Sequence, residues 1–262
     1  MNLTKYYYIG KINFVNSFVY VWDRVASSAF VGLIIFIFTQ LWQIIYSEGQ
    51  IISGFSIAMM LWYFVMTESI VTSLPSIVKR VGAEIKEGQI ANYLNKPYNY
   101  LLYQYSTYLG KAVFNFFLTF LIGSIVVLPI LGGIEFNFLN IPLIFLAVIL
   151  AISLNFILMM FLGMFSFWFE ESGSLRMIYN KIVFTLGGML LPLEIFPQWL
   201  SKISKLLPFS YIAYYPAKLF VNFNFGLFWQ VIRTQIFWIV IFSGLTLMMY
   251  KIGVRKVSIN GG

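Results

Sequence analysis

Glu68 interrupts the apolar stretch from Ser53 to Val78, and no second acid lies at comparable depth in any other apolar stretch of the chain. A carboxyl so placed is costly to ionise without a partner. Three roles stay open for it: an acid coupling transport to protons, a cation contact in a route through the protein, or a structural residue hydrogen-bonded to Asn155, Gln40 or a serine on a neighbouring helix. Cysteine and histidine are absent altogether. Thiolate nucleophiles, disulfides, Ser-His hydrolases and metal or haem sites built on these ligands are thereby excluded. The glycine clusters LGGM and ILGG lack the lysine and spacing of a phosphate loop. The residues predict neither catalysis nor a bound cofactor or metal in this chain, and any ATP and Mg would have to act in another polypeptide.

The elements that must position these side chains follow from composition. Of 262 residues, 60% are apolar and only 10% charged, with a mean hydropathy of +0.85. Soluble domains carry about 25% charged residues, so this chain belongs in a bilayer. Spans of about 20 residues are predicted near 26–46, 53–78, 101–131, 141–169 and 225–250. A shorter one falls near 177–193, with only twelve uncharged residues between Lys181 and Glu194. Pro192, Pro197, Pro208 and Pro216 then break the chain. This segment is read either as a span with Lys181 snorkelling or as broken helix entering a hairpin over 194–222 that re-enters the outer leaflet. Ahead of the first span, Phe14, Phe18 and Trp22 recur every four residues, which reads as an interfacial helix within 1–25 or as the ragged start of that span. Gly32, Gly123, Gly163, Gly187, Gly188 and Gly244 are expected at close helix contacts or bends.

Thirteen of the seventeen Lys and Arg residues fall on one side of this arrangement and four on the other. The positive-inside rule then places both termini in the cytoplasm. The net charge of +8 is accordingly a topology marker and implies no nucleic-acid partner. Aromatics at 20% anchor spans to lipid. The predicted fold is an all-α integral membrane protein: a single transmembrane domain over 1–262, with six transmembrane helices and an extracellular helical hairpin before the last. It is multi-pass in the cell membrane, with lipids as partners.

The longest cytoplasmic connection, 79–98, alternates apolar Ile85, Ile90, Tyr93 and Leu94 with charged Glu84, Lys86 and Glu87. It reads either as a solvated linker or as a short amphipathic helix on which a cytoplasmic subunit pulls.

Two stretches resemble the ABC type-2 permeases, the membrane subunits of ABC exporters. GGMLLPLEIFPQWLSKISKLLPFSYIAYYPAKL places Gly188, Pro192, Pro197, Trp199, Leu200, Pro208 and Tyr211 on the family's small-Pro-hydrophobic-Pro-Trp-Leu signature. KEGQIANYLNKPYNYLLY is similar to its Glu-Gly, Leu, Pro stretch between the second and third spans. The departure is in the hairpin, where Lys202 and Lys205 stand in place of small polar residues. The resemblance implies a half-transporter: two permeases, identical or homologous, on two ATPase subunits. It implies ATPase coupling through Glu84, Ile85, Lys86, Glu87, Ile90, Tyr93 and Leu94, and an outer gate at Gly188, Pro192, Glu194, Pro197, Trp199, Pro208 and Tyr211. Glu68 and Asn155 are candidates for the pathway. The competing reading is a proton-coupled secondary transporter using Glu68.

Overall fold

A computed structural model describes residues 3–46, 50–131, 138–169 and 173–260, and among them no β-strand is present. Helix α1 (Thr4–Asn16) is followed after a turn by α2 (Val21–Ile45). The interfacial helix expected within 1–25 thus ends at Asn16. Phe14 and Phe18 pack edge-on against Phe114, with centroids 5.8 and 4.7 Å away, whereas Trp22 belongs to α2 and is exposed. Spacing by four persists only while the helix does, and the turn at 17–20 takes Trp22 off the shared face.

The second apolar stretch forms α3 (Ile57–Thr72), opened by Ser56, whose Oγ accepts the Met59 N–H at 3.3 Å. Pro75 has no N–H to continue the ladder, and the chain restarts as α4 (Ile77–Lys86). Gly88, at φ +68°, turns it into the short α5 (Ile90–Leu94). Two long helices follow, α6 (Tyr100–Leu131) and α7 (Ile141–Met164). Next come α8 (Gly173–Leu186), α9 (Gln198–Leu206), a tight turn at Pro208–Tyr211, α10 (Tyr214–Val221) and finally α11 (Phe225–Asn260).

Five stretches are long and apolar enough to cross a membrane: Val21–Ile45, Ile57–Lys86, Tyr100–Ile130, Phe138–Phe167 and Phe225–Arg255. The short span expected near 177–193 is the exception. With 14 residues, α8 covers about 21 Å, short of the roughly 30 Å of hydrocarbon. It nevertheless runs antiparallel to α3: Arg176 near its start bonds Ser76 beyond the end of α3, and the residues just past its end reach Tyr63 and Thr67 in mid-helix.

The core lies along α3 and α7, where Tyr63, Phe64, Ile152 and Leu154 are fully buried. Outward, α2 and α11 present Phe36, Ile37, Ile44, Phe237, Val240 and Met248. Such surface costs little against lipid tails, which are as apolar as leucine. Close backbone approach fixes α1 on α6: a Cβ on Gly110 would collide with the Gly10 carbonyl and lie 3.2 Å from Phe14 N. Gly123 packs tightly as anticipated, against Val65 and Ile35, whereas Gly244 meets nothing within 4 Å.

Candidate functional site: a carboxylate brace, a broken helix and a hairpin

At one end of the bundle, Glu84 collects its partners from three helices. Its carboxylate accepts Tyr100 Oη at 2.7 Å, Gln104 Nε2 at 2.6 Å, Arg80 Nε at 3.1 Å and Tyr93 Oη at 3.4 Å. Four donors stabilise a buried anion that would otherwise be costly. Tyr100 is in turn stacked on Tyr250 of α11, 5.8 Å between centroids and 8° from parallel. One carboxylate therefore ties α4 and α5 to α6, and through the ring stack to α11. The N-terminal helix joins the same region, since Lys5 Nζ donates to the Pro97 carbonyl at 2.5 Å and the Asn99 N–H donates to Tyr6 Oη at 2.8 Å. Burial and the neighbouring Glu84 both raise the Tyr93 hydroxyl above its ordinary value.

Halfway along α3 lies the break that ends α8. Gly188 adopts φ +68°, a conformation glycine alone reaches freely. Three successive carbonyls lose their helical partners there, and each has a replacement. Gly187 O accepts the Tyr214 N–H at 3.1 Å, Gly188 O accepts the Tyr63 hydroxyl, and Met189 O accepts Thr67 Oγ1 at 2.7 Å. Irregular backbone within a bilayer is tolerated only with such partners.

Beside the break is a cavity of about 440 Å³ between α3, α7 and α8, whose polar lining includes Ser76, Asn155, Arg176, Tyr179 and Lys181. Asn155 links helices: its Nδ2 donates to Tyr108 Oη at 2.6 Å and its Oδ1 accepts Tyr179 Oη at 2.8 Å.

Beyond the break, Glu194 accepts Lys218 Nζ and Tyr214 Oη, both at 2.5 Å. Burial alone would raise the Glu194 carboxyl, but the hydrogen bonds from Lys218 and Tyr214 and the Lys218 charge outweigh it and hold it below the usual carboxylate range. The α9 helix presents Trp199, Ile203 and Leu206 outward beside Lys202 and Lys205.

A family model described as ABC-2 family transporter protein matches residues 30–261. The chain belongs to the ABC-2 transporter family. A search of curated proteins gives no match. As an ABC-2 permease, a membrane transport protein, the chain has its segments of interest where the motifs lie, yet their side chains are divided differently from expectation. In the coupling segment Glu84, Ile85 and Ile90 are buried, Tyr93 is half-buried, and Lys86 and Glu87 are exposed; the Leu94 side chain is outside the described residues. Glu84, expected to meet a partner's groove, is turned inward because Tyr100 and Gln104 on α6 supply the donors its charge needs. In the hairpin Gly188 makes the break, Pro192 O caps a turn by accepting the Ile195 N–H at 3.0 Å, and Pro197 precedes α9. Trp199 is exposed, while Pro208 and Tyr211 are buried.

Glu68 and Asn155 are not brought together. Asn155 is bonded to two tyrosines instead, and Glu68, buried in α3, is reached by no ion pair among the described residues. The residues missed from sequence are the partners: Gln104, Tyr108 and Tyr179, and Gln235, whose Nε2 joins the carbonyls of Ala147 and Tyr211 at 3.1 and 3.0 Å. Their signal is polarity inside apolar spans.

Proposed function

We propose that this ABC-2 permease is the membrane half of an ATP-driven exporter in the cell membrane. Two copies, or one copy and a homologue, form the pathway and rest on two separate ATPase subunits that hold ATP and Mg. The chain crosses six times with both termini in the cytoplasm; α8 and the broken segment after it make the fifth passage, and α9 lies on the outer surface with Lys202 and Lys205 at the lipid headgroups.

The Glu84 brace carries this reading. A segment receiving a mechanical push must be stiffly joined to the spans, yet show a charged face to its partner. Here Glu84 joins α4 and α5 to α6 and α11, while Lys86, Glu87 and Gln89 remain exposed. Lys5 and Tyr6 bring α1 under the same push. Glu87 and Lys86 are the charged contacts with the ATPase, and Glu84 is the positioning residue behind them. The Glu194 carboxylate, with the Tyr214 hydroxyl and the Lys218 ammonium, latches the outer hairpin past which cargo leaves.

Affinity purification from the native membrane tests this. A stoichiometric ATPase accompanies the chain, and charge reversal at Lys86 and Glu87 together releases it. Transport collapsed by an uncoupler and indifferent to ATPase inactivation would instead favour the proton-coupled reading through Glu68.

A further inference from the structure

Every charge among the described residues lining the cavity beside α8 is positive. Arg176 and Lys181 face it, and no acid does; Glu170 and Glu171, just ahead of α8, lie outside the described residues. Basic residues at the inner end of a span ordinarily mark orientation, but these two are placed differently. Lys181, itself exposed, stands eight residues after Gly173, about 12 Å further along the helix, and lines the cavity with Arg176. Arg176 is half-buried, and its donors are only partly used: Nη1 donates to Ser76 Oγ at 3.0 Å, while the buried Nε has no partner. A guanidinium with a buried, unpartnered Nε is suited to a phosphate or carboxylate, which such a group can grip with two parallel hydrogen bonds. The rest of the wall is mixed: Ser76, Asn155, Tyr179 and Asn180 are polar, while Val71, Met159 and Phe184 are among its apolar side chains. At about 440 Å³ the cavity has the size of ordinary ligand sites.

From this juxtaposition of two cations with the apolar side chains of a mixed wall, we infer that the cavity binds an amphiphile bearing an anionic head, a phosphate or carboxylate, with Arg176 and Lys181 on the head and the chain against Met159 and Phe184. The inference deepens the permease reading and rests on it for the claim that this ligand is cargo. The same chemistry is offered by a free alkyl phosphate and by an anionic lipid of the bilayer.

The experiment uses the permease with its co-purified ATPase in phosphatidylcholine nanodiscs. Dodecyl phosphate is expected to stimulate ATP turnover and dodecyltrimethylammonium to leave it unstimulated. The R176Q/K181Q variant should raise the half-stimulating concentration of dodecyl phosphate about tenfold, the loss expected for one charge-assisted hydrogen bond. R176K should recover part of it, and K202Q/K205Q on the outer hairpin should respond like the parent. Stimulation already present in phosphatidylglycerol nanodiscs, and lost in R176Q/K181Q, identifies the bilayer lipid as the source. Equal responses to the two surfactants, or an unaltered response in R176Q/K181Q, overturn the inference while the permease reading stands. If no ATPase accompanies the chain, the permease reading fails. Thermal-shift titration of the isolated chain with dodecyl phosphate then still decides the cavity: tenfold weaker binding in R176Q/K181Q supports it, and equal binding overturns it.

Discussion

Tyr100 donates its hydroxyl to Glu84 at 2.7 Å, and its ring lies stacked on Tyr250. Helices α4 and α5 are thus connected to α6 and α11 through one phenol. Removing the acceptor leaves Tyr100 and Gln104 as buried donors without it. E84A should destabilise the protein by about 3 kcal/mol, and E84Q, which keeps an acceptor oxygen, by clearly less. The Arg80 pair contributes little to that difference, because its side chain is 34% exposed and screened. Melting monitored by size-exclusion chromatography should rank parent, E84Q and E84A in that order.

Tyr63 and Thr67 replace the lost helical partners of Gly188 and Met189. Y63F leaves one buried carbonyl without its donor, at a cost of about 1–3 kcal/mol. The absence of native cysteine makes this measurable: a single cysteine placed at Leu190 should react faster with a water-soluble maleimide in Y63F than in the parent background.

Gly110 lets the backbones of α1 and α6 meet. G110A places a methyl group against the Gly10 carbonyl and Phe14 N, both rigid backbone atoms, and should cost about 1–3 kcal/mol by overpacking. The readout is tryptic cleavage at Lys11 in α1, which should accelerate as the helix lifts from α6.

Glu194 has its carboxyl lowered in the folded state, the hydrogen bonds from Lys218 and Tyr214 outweighing burial. A lowered acid contributes stability that is fully present above its unfolded value, near 4.5, and is lost as pH falls through the folded one. The hairpin should therefore loosen on acidification below that point. E194Q should abolish this pH dependence and loosen the hairpin at neutral pH, as read by labelling of a cysteine introduced at Ile195.

Glu68 is buried in α3 without an ion pair among the described residues. For an ATP-driven permease, E68Q should sustain transport within about twofold of the parent at acid and neutral pH, so that transition-state stabilisation is unchanged. Loss of pH-dependent flux in E68Q would transfer the driving role to this acid.

The order of helices was largely legible from residue types. Long apolar runs mark α2, α3, α6, α7 and α11 because burying backbone in lipid demands unbroken helix, whereas the stops at Pro75 and Gly88 went unread and the single span expected over 53–78 divides into α3 and α4. The extent of the first helix was misread, since a four-residue spacing continues in sequence across a turn that ends it in space. The site was legible as segments and not as partnerships. Glu84 looked like a surface charge because its neighbours in sequence, Lys86 and Glu87, are exposed, whereas its partners Tyr100 and Gln104 lie sixteen and twenty residues on.

Composition and the order of motifs alone determined that the protein is membrane-embedded, helical and without cysteine or histidine chemistry, because these depend on residue counts and on local hydrogen bonding. Only the tertiary structure decided which polar side chains satisfy one another: Glu84 with Tyr100, Tyr63 with the Gly188 carbonyl, and Asn155 with Tyr108 and Tyr179 rather than with Glu68. Inside a bilayer every such group must find a donor or acceptor within about 3 Å, and that distance is set by how helices far apart in sequence are packed.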